Sequence, residues 1–165
     1  MTSRAELLAA PEAVLRIVIE QGEKRLAGQI AFADSQDQRG GAIINAAVAL
    51  AAAAVALGAA NITKPSLFVG SVIAVTGFSA AASIAMWALR SRGFHSLGYY
   101  PSDFNDDIIE GKTVKDLLVD YAQELQHRLS ENKPILDERG TLTNLATWAL
   151  LGTPIGALIA AYIRA

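Results

Sequence analysis

Three long stretches of this chain contain no charged residue, and this distribution limits the possible folds more than any other feature. No Asp, Glu, Lys or Arg occurs between Arg39 and Lys64, between Lys64 and Arg90, or between Arg139 and Arg164. A helix needs about 20 apolar residues to cross a hydrocarbon core of roughly 30 Å, and each stretch is long enough. We therefore predict three membrane-spanning helices at about 41–62, 66–89 and 141–163.

The composition agrees with this interpretation. Of the 165 residues, 52% are hydrophobic and 18% are charged, and the mean hydropathy is +0.31. Soluble domains carry about a quarter charged residues, so this chain is poor in charge for its size. The first stretch is so rich in alanine that a buried helix of a soluble protein remains the alternative for that segment.

Two charged segments flank the spans, and each shows apolar residues at spacings of three and four. From Pro11 to about Gln36 the stripe is Leu15, Ile19, Gly22, Leu26, Ile30 and Ala33. From Thr113 to Asn132 it is Val114, Leu117, Leu118, Tyr121, Leu125, Leu129 and Asn132. These spacings predict two amphipathic helices that pack on each other. Both join spans almost without linkers, and Pro134 predicts a bend.

The distribution of Lys and Arg predicts the topology. Residues 1–40 hold five such residues and residues 90–140 hold seven, whereas the 61–66 link and the C-terminal tip hold one each. Because cytoplasmic loops carry the excess of positive charge, we expect a cytoplasmic N-terminus and a C-terminus on the outer face. The predicted fold is all-α, with three transmembrane helices continuous with a small cytoplasmic helical bundle. Its segments are an N-terminal amphipathic cytoplasmic helix (1–40), a transmembrane hairpin (41–89), a cytoplasmic loop and helix (90–140) and a third transmembrane helix (141–165).

Neutral polar residues within the spans form the candidate pore lining, which is Asn45, Thr76, Ser79 and Ser83. Small and neutral polar side chains permit water without introducing a fixed charge. Three spans are too few to enclose a pore, so conduction requires a homo-oligomer. The alternative is that these side chains bond to backbone carbonyls or to neighbouring helices.

The segment from Gly93 to Gly111 holds the candidate ligand site. Tyr99 and Tyr100 offer rings on which a base stacks. Arg90, Arg92 and His95 offer contacts to phosphate. The alternative is that these aromatic residues anchor the chain at the membrane interface.

Little in the sequence favours catalysis. The chain has no cysteine and two histidines, His95 and His127, which lie too far apart for a ligand motif of the H-x-x-x-H type. No nucleotide-binding fingerprint or nucleophile elbow is present. We expect a protein that is not an enzyme and has neither a metal nor a cofactor.

The layout resembles a known family. The chain contains Ala33-Asp34-Ser35 at the end of the first amphipathic segment, Asn45 in an Ala-rich span, an aromatic-Pro-x-Asp-Phe loop at 100–104, and a helix with Glu124, Leu125, Leu129 and Asn132. This order resembles the Pycsar-type membrane effectors of bacterial antiphage defence, and it is similar in plan to the Hailong membrane effector. The resemblance implies a nucleotide or oligonucleotide signal, a partner nucleotidyltransferase or cyclase that makes it, and permeabilisation of the bilayer of an infected cell. A non-conducting scaffold that anchors a soluble partner through Leu117, Tyr121 and Leu125 is the alternative function.

Overall fold

The computed structural model describes residues 3–90, 94–95 and 109–164. Within these ranges the chain is helical and contains no strand. The helices are α1 (Arg4–Ala9), α2 (Glu12–Ala60), α3 (Pro65–Ala88) and α4 (Val114–Ile163). Three of them, α2, α3 and α4, are long and apolar enough to cross a membrane. The chain is therefore an all-helical, multi-pass membrane protein by the length and composition of its helices.

The three predicted spans coincide with these helices except at two ends, since α2 stops at Ala60 and α3 stops at Ala88. The first span ends at Ala60 rather than at 62, because the backbone turns at Asn61, whose N–H donates to the Gly58 carbonyl at 3.2 Å. Lys64 N–H then donates to the Asn61 carbonyl at 2.8 Å, and Pro65 begins α3. Proline suits this position because its missing N–H has no partner in the first turn of a helix. The predicted hairpin at 61–66 is confirmed.

The predicted absence of linkers is also confirmed. Helix α2 continues from its amphipathic segment into its apolar segment, and α4 continues through Pro134 without interruption. Helix α1 is not predicted by the apolar periodicity. A local signal for it exists, since Ser3 and Glu6 have the spacing of a capping box. The Ser3 hydroxyl accepts from Glu6 N–H at 3.3 Å, and Glu6 accepts from Ser3 N–H at 2.7 Å.

The chain consists of two compact units. The polar unit is Met1–Ala33 with Arg92–Leu136, and the apolar unit is Asp34–Ser91 with Asp137–Ala165.

In the polar unit, the stripes of the two amphipathic segments pack on each other. The buried cluster is Leu7, Leu15, Ile19, Val119 and Ala122, so α1 contributes to it as well. Leu125 lies directly against Gly22, where any larger side chain on α2 would clash with it. At the edge of this contact, the Tyr121 hydroxyl donates to Glu23 Oε1 at 2.6 Å.

In the apolar unit, small residues let the helices approach closely. Gly58 faces Ser71 and Gly77 faces Thr153. A Cβ atom at Gly70 would lie 3.2 Å from the Ala157 carbonyl oxygen. Ile43, Ala85 and Ala146 form the buried cluster in which α2, α3 and α4 meet. Because lipid tails do not drive apolar helices together, such small-residue contacts supply the packing.

Candidate functional site

Asn45 lies on an exposed face of α2 within the apolar unit. Its neighbours along that face are Ala49, Ala52, Ala56 and Ala59, and all of them are exposed. The buried residues of this helix, Ile43, Ala47 and Ala54, occupy the opposite side. Asn45 therefore begins a strip of very small side chains that no other part of the described chain covers. We call these five residues the Asn45 strip.

Thr76, Ser79 and Ser83 form a second exposed polar set, on α3. The Thr76 hydroxyl donates to the Val72 carbonyl at 2.9 Å, and the Ser83 hydroxyl donates to the Ser79 carbonyl at 2.8 Å. These bonds reduce the cost of placing a hydroxyl at a surface inside the bilayer. They agree with the alternative that these side chains bond to backbone carbonyls. Each hydroxyl oxygen still has a lone pair that is able to accept a hydrogen bond from water.

The two sets share one border. A groove of 430 Å³ runs between α2 and α3, and both Ala59 and Thr76 line it. The structure thus joins the Asn45 strip to the hydroxyl-bearing face of α3 at this groove. On α4, by contrast, the exposed surface carries large apolar side chains, among them Trp148, Leu151, Leu158 and Tyr162.

Arg90 lies at the end of α3 in the apolar unit. Its guanidinium lies 5.3 Å from the ring centre of Trp87, a cation–π contact. Its carbonyl accepts from Arg139 Nη2 at 3.4 Å. Trp87 is half exposed, and an exposed Trp beside an Arg at the end of a span is typical of the membrane interface.

His95 belongs to the polar unit, where α4 holds it. Asn132 is fully buried, and its amide bonds both backbone groups of His95: it accepts from the N–H at 2.9 Å and donates to the carbonyl at 3.0 Å. The His95 ring lies 2.6 Å from Glu131 Oε2, and the His127 ring lies 3.2 Å from Glu131 Oε1. The two rings are 6.3 Å apart.

The sequence-predicted ligand set is therefore divided. Arg90 and His95 belong to different units, while Arg92, Tyr99 and Tyr100 lie outside the described residues. His127, which its sequence neighbours indicate to be a solvated side chain, shares Glu131 with His95. No periodic signal could have found this pairing, because the two histidines come from separate segments.

The polar unit also contains a groove that no sequence pattern indicates. Its volume is 360 Å³, and its walls include Ile17, Val18 and Leu129. Gln21, Arg25 and Gln126 add two amides and a guanidinium to this apolar surface. Amides recognise the donors and acceptors of a ring edge, and a guanidinium pairs with phosphate or carboxylate. The groove thus has the side chains to bind an organic anion that carries an apolar ring.

Within the described ranges, no group of three or more His, Asp or Glu side chains is arranged to hold a metal ion. No protein-family model, curated protein or solved structure matches this chain.

Proposed function

We propose that this protein is a homo-oligomeric ion channel or pore of the bacterial inner membrane, controlled by a nucleotide or oligonucleotide signal in antiphage defence. A partner nucleotidyltransferase or cyclase makes the signal. The proposal that the protein conducts ions rests on the exposed Asn45 strip. This strip is an uncharged surface of one amide and four alanines, and it lies on a helix long enough to cross a membrane. The signal and the defence role rest on the family resemblance.

The surface of the apolar unit supports this proposal, because it has two kinds of exposed face. Large apolar residues on α4 suit contact with lipid. The Asn45 strip presents an amide and four methyl groups, and an amide in hydrocarbon costs free energy unless it finds a partner or water. A ring of copies that turn their α2 helices inward gives each amide water and leaves the large side chains in lipid.

The groove of the polar unit is the proposed location of the signal. Arg25 pairs with the phosphate, and the apolar wall near Leu129 contacts the base or sugar. A ligand changes conduction only when it binds one state more tightly than the other, so the groove must differ in shape between the closed and open states.

The scaffold alternative requires a free apolar stripe around Leu117, Tyr121 and Leu125. Leu125 is buried against Gly22, and Tyr121 bonds Glu23, so helix α2 of the same chain already occupies much of that stripe. This packing favours the channel over a scaffold that docks through those residues.

Ion flux into liposomes tests the proposal directly. Purified protein is reconstituted, and flux is measured without ligand and with a panel of cyclic mononucleotides and short oligonucleotides. We expect at least one of these conditions to give flux, with nucleotide changing its rate. Absence of flux under every condition, in vesicles that contain correctly inserted protein, would refute the proposal.

Asn45→Leu tests the Asn45 strip. We expect it to lower single-channel conductance several-fold without preventing assembly, because it replaces a hydrated amide with an apolar side chain. Asn144→Leu is the matched control, since Asn144 is an exposed amide on α4 near the corresponding end of its span. Equal conductance of the two variants would remove Asn45 from the lining.

A further inference from the structure

In the apolar unit, α2 and α4 carry three buried polar side chains, one on α2 and two on α4. Gln36, Arg139 and Thr143 are 5%, 8% and 1% exposed. Arg139 Nη1 donates to Asp37 Oδ1 at 3.3 Å, which joins the two helices at this level. We call Gln36, Arg139 and Thr143 the buried polar cluster.

Helix geometry places these residues on facing stripes. Gln36 and Ile43 are seven residues apart on α2, and Arg139 and Ala146 are seven residues apart on α4, so each pair shares a face. Ile43 and Ala146 pack in the same buried cluster. Gln36 and Arg139 therefore lie about two turns before an apolar contact of the same two helices, and Thr143 lies one turn after Arg139 on the same face of α4.

Each member of the cluster has a polar atom with no hydrogen-bond partner among the described residues: Gln36 Oε1, Arg139 Nε and Thr143 Oγ1. Thr143 also differs from its neighbours. The Thr147 hydroxyl donates to the carbonyl four residues earlier at 2.8 Å, and that of Thr141 does so at 2.9 Å. Thr143 makes no such bond, so its hydroxyl is available to another acceptor or donor.

We infer that the buried polar cluster binds ordered water between α2 and α4. The three orphaned atoms are a donor on Arg139, an acceptor on Gln36 and a hydroxyl that does both, and water is the small ligand that meets all three requirements. An anion would face the Gln36 oxygen and the Asp37 carboxylate. A cation would face the Arg139 guanidinium. The inference does not depend on the proposed channel function.

Substitution of Thr143 tests this water site by the sign of a stability change. If water is bound, Thr143→Val removes a hydroxyl that bonds the water. We then expect the Tm in detergent to fall by about 2–4 °C relative to wild type. Thr147→Val is the matched control, because the Thr147 hydroxyl is already paired within its own helix. If the cluster is dry, Thr143→Val removes an unpaired buried hydroxyl, and its Tm equals or exceeds that of wild type. That outcome would overturn the inference.

A second measurement needs no variant. Water-edited solid-state NMR on labelled wild-type protein in liposomes measures how fast magnetisation passes from water to each site. We expect the Thr143 methyl group to receive it several-fold faster than the Ala146 methyl group, which is equally buried and also has no exchangeable proton. Equal rates would overturn the inference even if the Thr143 variant failed to fold. Neither measurement involves flux or nucleotide, so failure of the channel proposal leaves this test intact.

Discussion

Arg25 supplies the positive charge in the groove of the polar unit, beside the amides of Gln21 and Gln126. Hydrogen bonds to a charged group contribute about 1.5–3 kcal/mol, which corresponds to roughly a 10- to 100-fold change in affinity. We therefore expect Arg25→Gln to weaken the nucleotide response of reconstituted protein by that factor. The control is Arg16→Gln, since Arg16 bonds the exposed Glu12 at 3.5 Å and lies outside the groove. Equal dose–response curves for the two variants would remove Arg25 from the site.

Asp116 and Thr113 cap the start of α4, and their hydrogen bonds should make the stability of the protein depend on pH. The Thr113 hydroxyl donates to Asp116 Oδ2 at 2.5 Å and its N–H donates at 3.2 Å, and these bonds hold the pKa of the Asp116 carboxyl below its ordinary value of 3.8. A lowered pKa means that the carboxylate form is favoured by folding. The stabilisation is therefore present above pH 3.8 and is lost as the pH falls through the lowered pKa.

The test is the Tm of wild type and of Asp116→Asn, measured in detergent from pH 7 down to pH 2.5. We expect wild type to have the higher Tm at pH 7. The Tm difference should narrow in acid, because protonation removes the Asp116 carboxylate of wild type and leaves the amide of the Asp116→Asn variant unchanged. Lys115→Gln is the control, because it removes a charge in the same turn and leaves the Thr113–Asp116 bonds intact. The Tm difference between this variant and wild type should not close between pH 7 and pH 2.5. A constant gap for Asp116→Asn would contradict the assignment.

At the scale of helices, close contacts between α3 and α4 depend on glycine. A Cβ atom at Gly77 would lie 2.7 Å from Thr153 Cγ2 and 3.0 Å from Thr153 Cβ. The Thr153 hydroxyl bonds the Ala149 carbonyl at 2.6 Å, which holds that side chain in place. We expect Gly77→Ala to destabilise the protein by about 1–3 kcal/mol through overpacking, measured as a lower Tm.

Gly41→Ala is the control for that substitution, because nothing lies within 4 Å of a Cβ at Gly41. There the change should be neutral or slightly stabilising, since alanine is the better helix former by about 1 kcal/mol. If Gly77→Ala were as stable as Gly41→Ala, α3 and α4 would not pack at this point as described.

The sequence predicts the existence of these helices well and their partners poorly. A span requires an uninterrupted apolar stretch, so the absence of charge is sufficient to locate α3 and the apolar halves of α2 and α4. Which face of a span meets another helix is not encoded in that stretch. Gly152 and Gly156 match a G-x-x-x-G packing motif, yet a Cβ atom added at either would meet no other described residue within 4 Å. Gly77 belongs to no such motif and is tightly packed.

The same limit applies to the polar contacts. Asn132 and His95, which are joined by hydrogen bonds, are 37 positions apart in the sequence. Arg139 and Asp37, which form an ion pair, are 102 positions apart. Such pairs depend on how the helices are arranged in space, and no local periodicity encodes that arrangement.

At the scale of the whole molecule, the exposed surface of the apolar unit differs from helix to helix, and the proposed function uses that difference. The apolar unit presents the small Asn45 strip, whereas its α4 surface presents Trp148 at 73% and Leu158 at 72% exposure. If the predicted first span is correct, a single copy would turn the exposed Asn45 amide toward lipid. Association of several copies through or around α2 gives that amide a partner or water, which is why the proposed function requires an oligomer.

The distribution of positive charge predicts how the whole chain lies in the bilayer, and cysteine labelling tests it. Because the chain has no cysteine, one introduced cysteine reports one position. Ile62 is 70% exposed in the hairpin before α3, and Ser130 is exposed in the polar unit. With the N-terminus inside, Ile62→Cys should react with a membrane-impermeant maleimide on intact spheroplasts, and Ser130→Cys should react only after the membrane is opened. Labelling of Ser130→Cys from outside, with Ile62→Cys protected, would show the reverse orientation and would place the Arg25 groove on the side away from a cytoplasmic nucleotide signal.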